Sequence, residues 1–313
     1  MPTSDTRGKQ LRRGLLIALK VAISTGLLTY LALHIGLDTA FGTVRHADAT
    51  LFALSFVLSA ALQAPAIVRW RLLGRMVGFN DSLGRYSAFY LVGVFMNLFL
   101  PGTVGGDLGR SYLLAGDRRR WPRALMTVLA DRASGMTALM LIGAIAALTA
   151  HGVVMPGWII LVSVGGTAAL VLGLLLPLVW PWPLQRLKIP LDYWQQPGVF
   201  LRTMGLSFAI QGGVVGVNIL IGLALGLQIP LGYYFVFTPL VMIAAMVPLS
   251  LNGLGIREGA YVYFLTQAGV DKPAALAFGL LWLVLLVILG GLGGLAWIAL
   301  GDRLRAVKHE IED

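Results

Sequence analysis

Apolar residues run along this chain in long continuous stretches, separated by short polar or basic segments. The stretches do not alternate between apolar and polar positions, so they predict helices rather than the strands of a barrel. Most reach the length of about 20 residues that a helix needs to cross a hydrocarbon core. We therefore predict an all-α polytopic membrane protein. The predicted apolar segments are 14–37, 49–68, 84–116, 122–150, 157–180, 203–228, 232–268 and 274–300.

Composition supports this class and leaves no room for a soluble domain. Of the 313 residues, 58% are hydrophobic and 12% are charged, with a mean hydropathy of +0.82, whereas soluble domains are about 25% charged. Segment 14–37 is longer than the apolar core of a signal peptide and lacks a small-residue cleavage site, so we predict that it stays as a helix. The chain is expected to form one integral membrane domain.

The distribution of Lys and Arg predicts the topology. The net charge of +10 fits cytoplasmic loops that retain basic residues, and we exclude nucleic acid as a partner. If 84–116 and 232–268 each crossed once, basic clusters would lie on both sides of the membrane. With each folded as a re-entrant hairpin, 18 of the 24 Lys and Arg, those of segment 69–85 included, are cytoplasmic, and Arg45 and Lys272 are external. Both termini are then cytoplasmic.

This topology predicts six full crossings and two opposed hairpins arranged as an inverted repeat, a known transporter plan. The repeats are residues 1–153, with a turn at 101–106, and residues 154–313, with a turn at 248–255. Proline and glycine suit such turns, which membranes tolerate beside protein or a wet cavity. Proline, glycine and arginine follow one another at the same spacing in both segments: Pro101, Gly106 and Arg110 in the first, and Pro248, Gly253 and Arg257 in the second. The predicted turn residues are Pro101, Gly105, Gly106, Pro248, Gly253 and Gly255.

Charged residues inside the apolar segments are the candidate functional residues, because each costs ~2.5–3.5 kcal/mol at membrane depth. They are neighbours of opposite sign, and the spacing of Asp107 and Arg110 puts both on one helical face. Two interpretations stay open: the pairs lock the hairpins into the bundle, or the arginines line a cavity and bind an anion such as phosphate. The predicted cavity residues are Arg110, Arg132, Arg257, Asp107, Asp131, Glu258, Asn97 and Asn252.

Enzyme signatures are missing from the sequence. There is no cysteine, the four histidines form no ligand pair, and the glycines of segment 102–109 have neither Rossmann nor P-loop spacing. We expect no metal, no cofactor and no catalytic residue.

The motifs that contain these residues resemble the transmembrane domain of the lysylphosphatidylglycerol synthase family of flippase-like membrane proteins. The resemblance covers most of the chain. It is carried by Asn97, Pro101, Gly105-Gly106-Asp107 with Arg110, by Asp131-Arg132 with Gly135, and by Pro248 through Glu258. It implies movement of a lipid between leaflets. In founding members a soluble aminoacyl-transferase domain follows, and because this sequence ends at Asp313 we expect no lysyl transfer.

We therefore predict a lipid translocase of the bacterial cytoplasmic membrane, which moves a phospholipid, glycolipid or hopanoid-type lipid. Two alternatives remain: a secondary transporter of a small anionic solute, and an integral-membrane enzyme that modifies a lipid or a polyprenyl-linked sugar. A membrane lipid is the expected partner, and a second copy of the chain and a separate lipid-synthesising enzyme are left open as further partners.

Overall fold

The computed structural model describes residues 4–35, 37–99, 105–149, 156–179, 196–247 and 249–299. Within these ranges the chain is helical and no β-strand occurs, which confirms the prediction of an all-α protein. The helices are α1 (Ser4–Ile35), α2 (Leu37–Arg45), α3 (Ala49–Ala61), α4 (Gln63–Met76), α5 (Leu83–Phe99), α6 (Gly105–Ala115), α7 (Trp121–Thr149), α8 (Gly157–Val179), α9 (Pro197–Ala224), α10 (Leu231–Met246), α11 (Ile256–Gln267) and α12 (Lys272–Ala299).

Five stretches within the described residues are long and apolar enough to cross a membrane. They are Ala18–Ile35, Ala49–Met76, Trp121–Thr149, Pro197–Ala224 and Lys272–Ile298. Each of these five stretches overlaps a predicted crossing. The one remaining predicted crossing, 157–180, overlaps α8, in which a shorter apolar stretch, Gly157–Gly173, is described. The chain is therefore a multi-pass helical membrane protein.

Each segment that was predicted to be broken contains two separate helices. In the first, α5 ends at Phe99 and α6 begins at Gly105, so Gly105 and Gly106 belong to the first turn of α6 rather than to a turn between helices. In the second, α10 ends at Met246 and α11 begins at Ile256. The prolines Pro101 and Pro248 lie outside the described residues.

One part of the sequence interpretation is wrong. Segment 69–85 was predicted to be a loop that begins at Arg69, but α4 extends to Met76 and Arg69 is 6% exposed. Arg69 shares a helical face with buried Ala66 and Leu73, whereas Arg71 and Arg75 lie on another. Arg202 likewise belongs to the first turns of α9 rather than to a loop.

Contacts between helices recur in the two halves of the chain. Helix α5 packs on α6 and α12, and in the same way α10 packs on α11 and α7. Gly143 of α7 lies against Pro239 of α10, and Gly290 of α12 lies against Leu98 of α5. The interval in the sequence between Gly143 and Gly290 equals the interval between Arg110 and Arg257. The two glycine contacts therefore occupy equivalent positions in the two halves of the chain.

A second matched contact closes the corner before each broken segment. A Cβ atom on Gly74 would collide with the hydroxyl group of Tyr86, and a Cβ atom on Gly222 would collide with that of Tyr234. The spacing from glycine to tyrosine is the same in both halves. This repeat was missed in the sequence, although its glycines and tyrosines are visible there.

We expect Gly222→Ala to destabilise the protein by about 1–3 kcal/mol, because the new methyl group overpacks the contact with Tyr234. Adding Tyr234→Phe should recover part of the loss by removing the hydroxyl oxygen. The thermal unfolding midpoint in detergent measures both effects. Gly205→Ala on the same helix is the control, because a Cβ atom there meets nothing within 4 Å. Equal midpoints for Gly222→Ala and Gly205→Ala would contradict this packing.

Candidate functional site

Five charged side chains from three helices form a continuous ladder in which arginine and aspartate alternate. Its members, in order of contact, are Arg69, Asp131, Arg110, Asp107 and Arg132. Helix α4 supplies the first, α6 supplies Arg110 and Asp107, and α7 supplies Asp131 and Arg132. We call this group the arginine–aspartate ladder.

Each aspartate of the ladder binds two arginines, one through each oxygen. Asp131 Oδ1 accepts from Arg69 Nε at 2.7 Å, and Asp131 Oδ2 accepts from Arg110 Nη2 at 3.0 Å. Asp107 Oδ1 accepts from Arg110 Nε at 3.1 Å, and Asp107 Oδ2 accepts from Arg132 Nε at 2.6 Å. Asp131 and Arg132 are adjacent in α7, yet each pairs with residues of other helices rather than with its neighbour. The aspartates hold arginines, so a basic ligand group would have to compete with them.

The Arg110 guanidinium is at the centre of the ladder and is 4% exposed. Its Cζ atom lies 4.8 Å from the ring centroid of Trp70 and 5.0 Å from that of Tyr90. Desolvated cation–π contacts of this kind contribute about 2 kcal/mol. The Nη1 atom of Arg110 is buried and has no hydrogen-bond partner.

Arg69 extends the ladder beyond the residues that the sequence singled out. Its Nη1 atom donates to Ser207 Oγ at 2.9 Å, which ties α4 to α9 as well as to α7. The sequence could have predicted that Arg69 lies within a helix, because apolar residues continue at helical spacing after it.

The ladder lines a cavity of about 330 Å³ between α4, α5, α6, α7, α9, α10 and α12. All five ladder residues contribute to its wall, together with Tyr90, Asn97 and Gln211. The rest of the lining is apolar and includes Met242, Met246 and Trp282. The cavity lining thus combines charged and polar side chains with apolar ones.

A second cavity of about 270 Å³ adjoins the first and contains Arg257 and Asn252 in its lining. Asn97, Arg132 and Trp282 are among the residues that line both cavities. Seven of the eight predicted cavity residues therefore line one or both cavities. The eighth, Glu258, is fully buried beside Arg257.

Arg257 and Glu258 pair with each other although they are adjacent in the sequence. Arg257 Nη2 lies 3.1 Å from Glu258 Oε1, and the other carboxylate oxygen accepts from the backbone N–H of Gly255 at 2.7 Å. Glu258 thus caps the N-terminus of α11 while it neutralises Arg257.

The turn before α11 needs glycine at two predicted positions. Gly253 and Gly255 have φ angles of 76° and 82°, in the left-handed region that favours glycine. A Cβ atom on Gly253 would also collide with the Ala245 carbonyl oxygen. Ser24 Oγ of α1 accepts from the backbone N–H of Leu251 at 2.8 Å and holds the turn.

The start of α6 is held by a side chain of α5. Asn97 Oδ1 accepts from the backbone N–H of Gly106 at 2.8 Å, which satisfies one of the free donors at the helix N-terminus. A Cβ atom on Gly106 would meet the Gly93 carbonyl oxygen. This close approach brings Asp107 and Arg110 against α7.

Among the described residues, no group of three or more His, Cys, Asp or Glu side chains is placed to bind a metal ion. Besides carboxylates that already accept from arginines, the two cavities are lined by guanidinium groups, amides and aromatic rings. These groups bind and orient anionic and hydroxylated groups.

Comparison with known proteins agrees with this picture. The family model described as lysylphosphatidylglycerol synthase TM region matches residues 17–294, which include both broken segments and the whole ladder. No curated protein matches the chain. The family links the protein to lipid handling in a membrane. Because the match covers most of the sequence, the chain belongs to the lysylphosphatidylglycerol synthase transmembrane region family.

Proposed function

We propose that this protein is a lipid translocase, which moves a phospholipid, glycolipid or hopanoid-type lipid between leaflets without changing it chemically. The observation that carries the proposal is the arginine–aspartate ladder in the wall of a cavity within a membrane bundle. Buried arginines are costly in a membrane, and here three of them, Arg69, Arg110 and Arg132, line one cavity. The headgroup occupies the cavity while the acyl chains stay in the bilayer.

The two halves of the chain, 1–153 and 154–313, act in this proposal as inverted repeats with both termini in the bacterial cytoplasm. The matched contacts of α5 with α12 and of α10 with α7 support the repeat. The equal spacing of Gly74 to Tyr86 and of Gly222 to Tyr234 also supports it. Rocking of one repeat against the other around the cavities would alternate access between leaflets.

The test is lipid movement in proteoliposomes by the wild type and by Arg110→Ala. Removing Arg110 leaves two complete ion pairs, Arg69 with Asp131 and Arg132 with Asp107, so the bundle should still assemble. We expect the rate to fall by about tenfold or more, since a hydrogen bond to a charged group contributes ~1.5–3 kcal/mol.

The matched control is Arg85→Ala, which removes an arginine whose side chain is 58% exposed and lies outside both cavities. It should move lipid at the wild-type rate. Wild-type rates for Arg110→Ala would show that the ladder does not bind the headgroup. A protein that transports only a soluble anion, or that alters the lipid covalently, would favour one of the alternative functions.

A further inference from the structure

The first broken segment, which consists of α5 and α6, is fixed to the bundle by ion pairs. Arg110 Nη2 lies 3.0 Å from Asp131 of α7, and Asp107 lies 2.6 Å from Arg132 of the same helix. Separating α6 from α7 would leave buried charges without partners, which is strongly unfavourable in a membrane. These charges therefore hold α6 in place against α7.

The second broken segment, which consists of α10, residues 247–255 and α11, has an ion pair within itself. Arg257 and Glu258 are the only charged residues between positions 231 and 267, and their side chains pair at 3.1 Å. The other carboxylate oxygen of Glu258 accepts from the backbone N–H of Gly255. Because these partners belong to the same segment, α11 can move without breaking this ion pair.

Helix α12 offers α11 no charged partner at the places where α7 holds α6. By the interval that relates the arginines of the two broken segments, Asp131 corresponds to Phe278 and Arg132 corresponds to Gly279. A Cβ atom on Gly279 would lie 3.3 Å from Glu258 Cγ, so α11 packs closely against α12 there. The contact of α6 with α7 is thus electrostatic, whereas the equivalent contact of α11 with α12 is van der Waals packing.

The polar contacts that join the second broken segment to other helices include two hydrogen bonds between uncharged groups. Tyr261 Oη donates to Asn218 Oδ1 of α9 at 2.8 Å, and the backbone N–H of Leu251 donates to Ser24 Oγ of α1 at 2.8 Å. Hydrogen bonds between neutral groups are weaker than those between charged groups. Displacing the second broken segment therefore costs less than displacing the first.

The backbone of the second broken segment also has positions at which it can bend. Pro239 lies inside α10, where it removes one backbone hydrogen bond and favours a kink, whereas α5 contains no proline. Asn252, Gly253 and Gly255, which have positive φ angles, precede α11. Hinges that absorb backbone rotation are found at such ends of elements.

Movement of α10 would change the walls of both cavities. Met242 and Met246 of α10 line the first cavity and the second, and Arg257 of α11 lines the second. Methionine side chains are flexible and adapt to a changed surface. The segment with the weaker attachment is therefore also one whose position determines the shape of the cavities.

We propose that the second broken segment is the moving part of the protein, while the first broken segment stays fixed against α7 and α12. Displacement of α10 and α11 changes access to the cavities, and the arginine–aspartate ladder remains intact throughout. This inference rests on the proposed function and deepens it, because it identifies the element whose movement alternates access.

Two engineered disulfides test which contact has to open, since the chain has no cysteine of its own. Gly143→Cys with Pro239→Cys joins α7 to α10, and Gly290→Cys with Leu98→Cys joins α12 to α5. A Cβ atom on Gly143 would lie 3.1 Å from Pro239 Cβ, and one on Gly290 would lie 3.5 Å from Leu98 Cβ, close to the separation in disulfides. Each variant is compared with itself in the reduced state.

We expect oxidation to slow lipid movement in proteoliposomes by about tenfold or more when α10 is joined to α7, and by less than about twofold when α5 is joined to α12. Slowing by both disulfides, by neither, or by the α5–α12 disulfide alone would overturn this inference and leave the translocase proposal standing.

Spin labels give a second measurement, which needs no lipid movement and leaves Gly143 and Pro239 unchanged. The labelled positions are exposed: Leu249 before α11, Leu108 in α6 and Leu223 in α9 as the common reference. In lipid nanodiscs, electron resonance should give a broader or two-peaked distance distribution from Leu249 to Leu223 than from Leu108 to Leu223. Equal widths would contradict the inference. A wild type that moves no lipid would overturn the translocase proposal, and the distance distributions would then decide this inference alone.

Discussion

Asp131→Asn is expected to destabilise the folded protein by about 3–5 kcal/mol, the cost of breaking a buried ion pair. Asp131 holds Arg69 on one oxygen and Arg110 on the other, at 2.7 and 3.0 Å. An asparagine keeps one acceptor at most and supplies no charge, so the buried Arg69 loses its carboxylate partner and Arg110 keeps only Asp107, which it shares with Arg132. The thermal unfolding midpoint in detergent and the yield of monodisperse protein should both fall.

Two further variants serve as comparisons for the loss of stability expected of Asp131→Asn. Asp81→Asn makes the same substitution in a pair whose arginine is 58% exposed, and such pairs contribute about 0–1 kcal/mol. Arg110→Ala should also cost less than Asp131→Asn, because it leaves two balanced pairs. If Asp131→Asn unfolded at the same temperature as Asp81→Asn, the ladder would not stabilise the bundle.

Gly106→Ala is expected to destabilise the protein by about 2–4 kcal/mol through overpacking and loss of a helix cap. The new Cβ atom would meet the Gly93 carbonyl oxygen, which is backbone and cannot rotate away, and the Asn97 amide. Helix α6 would have to move away from α5, and Arg110 and Asp107 would move with it. Both the unfolding midpoint and lipid movement should decrease.

The control for Gly106→Ala is Gly212→Ala in α9, where a Cβ atom meets nothing within 4 Å. Alanine is the better helix former, so Gly212→Ala should leave the midpoint unchanged or raise it slightly. An unchanged midpoint for Gly106→Ala would mean that α5 and α6 are not in this close contact.

The two interpretations of the intramembrane charges are compatible in this structure. The ladder joins α4, α6 and α7, which is the structural role, and the same side chains line the first cavity. A ligand that binds Arg110 would therefore act directly on the contacts that join these helices. This gives the proposed lipid movement a physical link to the packing of the bundle.

Much of the fold could be predicted from the sequence because membranes impose strong rules on local composition. Apolar length predicted the helices, and proline and glycine predicted that segments 84–116 and 232–268 would each contain two helices. The spacing of Asp107 and Arg110 predicted their contact, since residues three apart share a helical face. The cost of a charge at membrane depth singled out the residues that line the cavities.

Other features depended on contacts between residues far apart in the chain. The distribution of basic residues predicted that Arg69 lies in a cytoplasmic loop, because Arg69 is close in the sequence to other arginines and its acidic partner is far away in the sequence. That partner, Asp131, lies on α7, and only the packing of α4 against α7 brings the two together. The order of the ladder and the burial of Arg110 follow from the same packing. The sequence by itself determined the helices, their breaks and the charged residues, whereas the tertiary structure decided which charges pair, because pairing depends on distance in space.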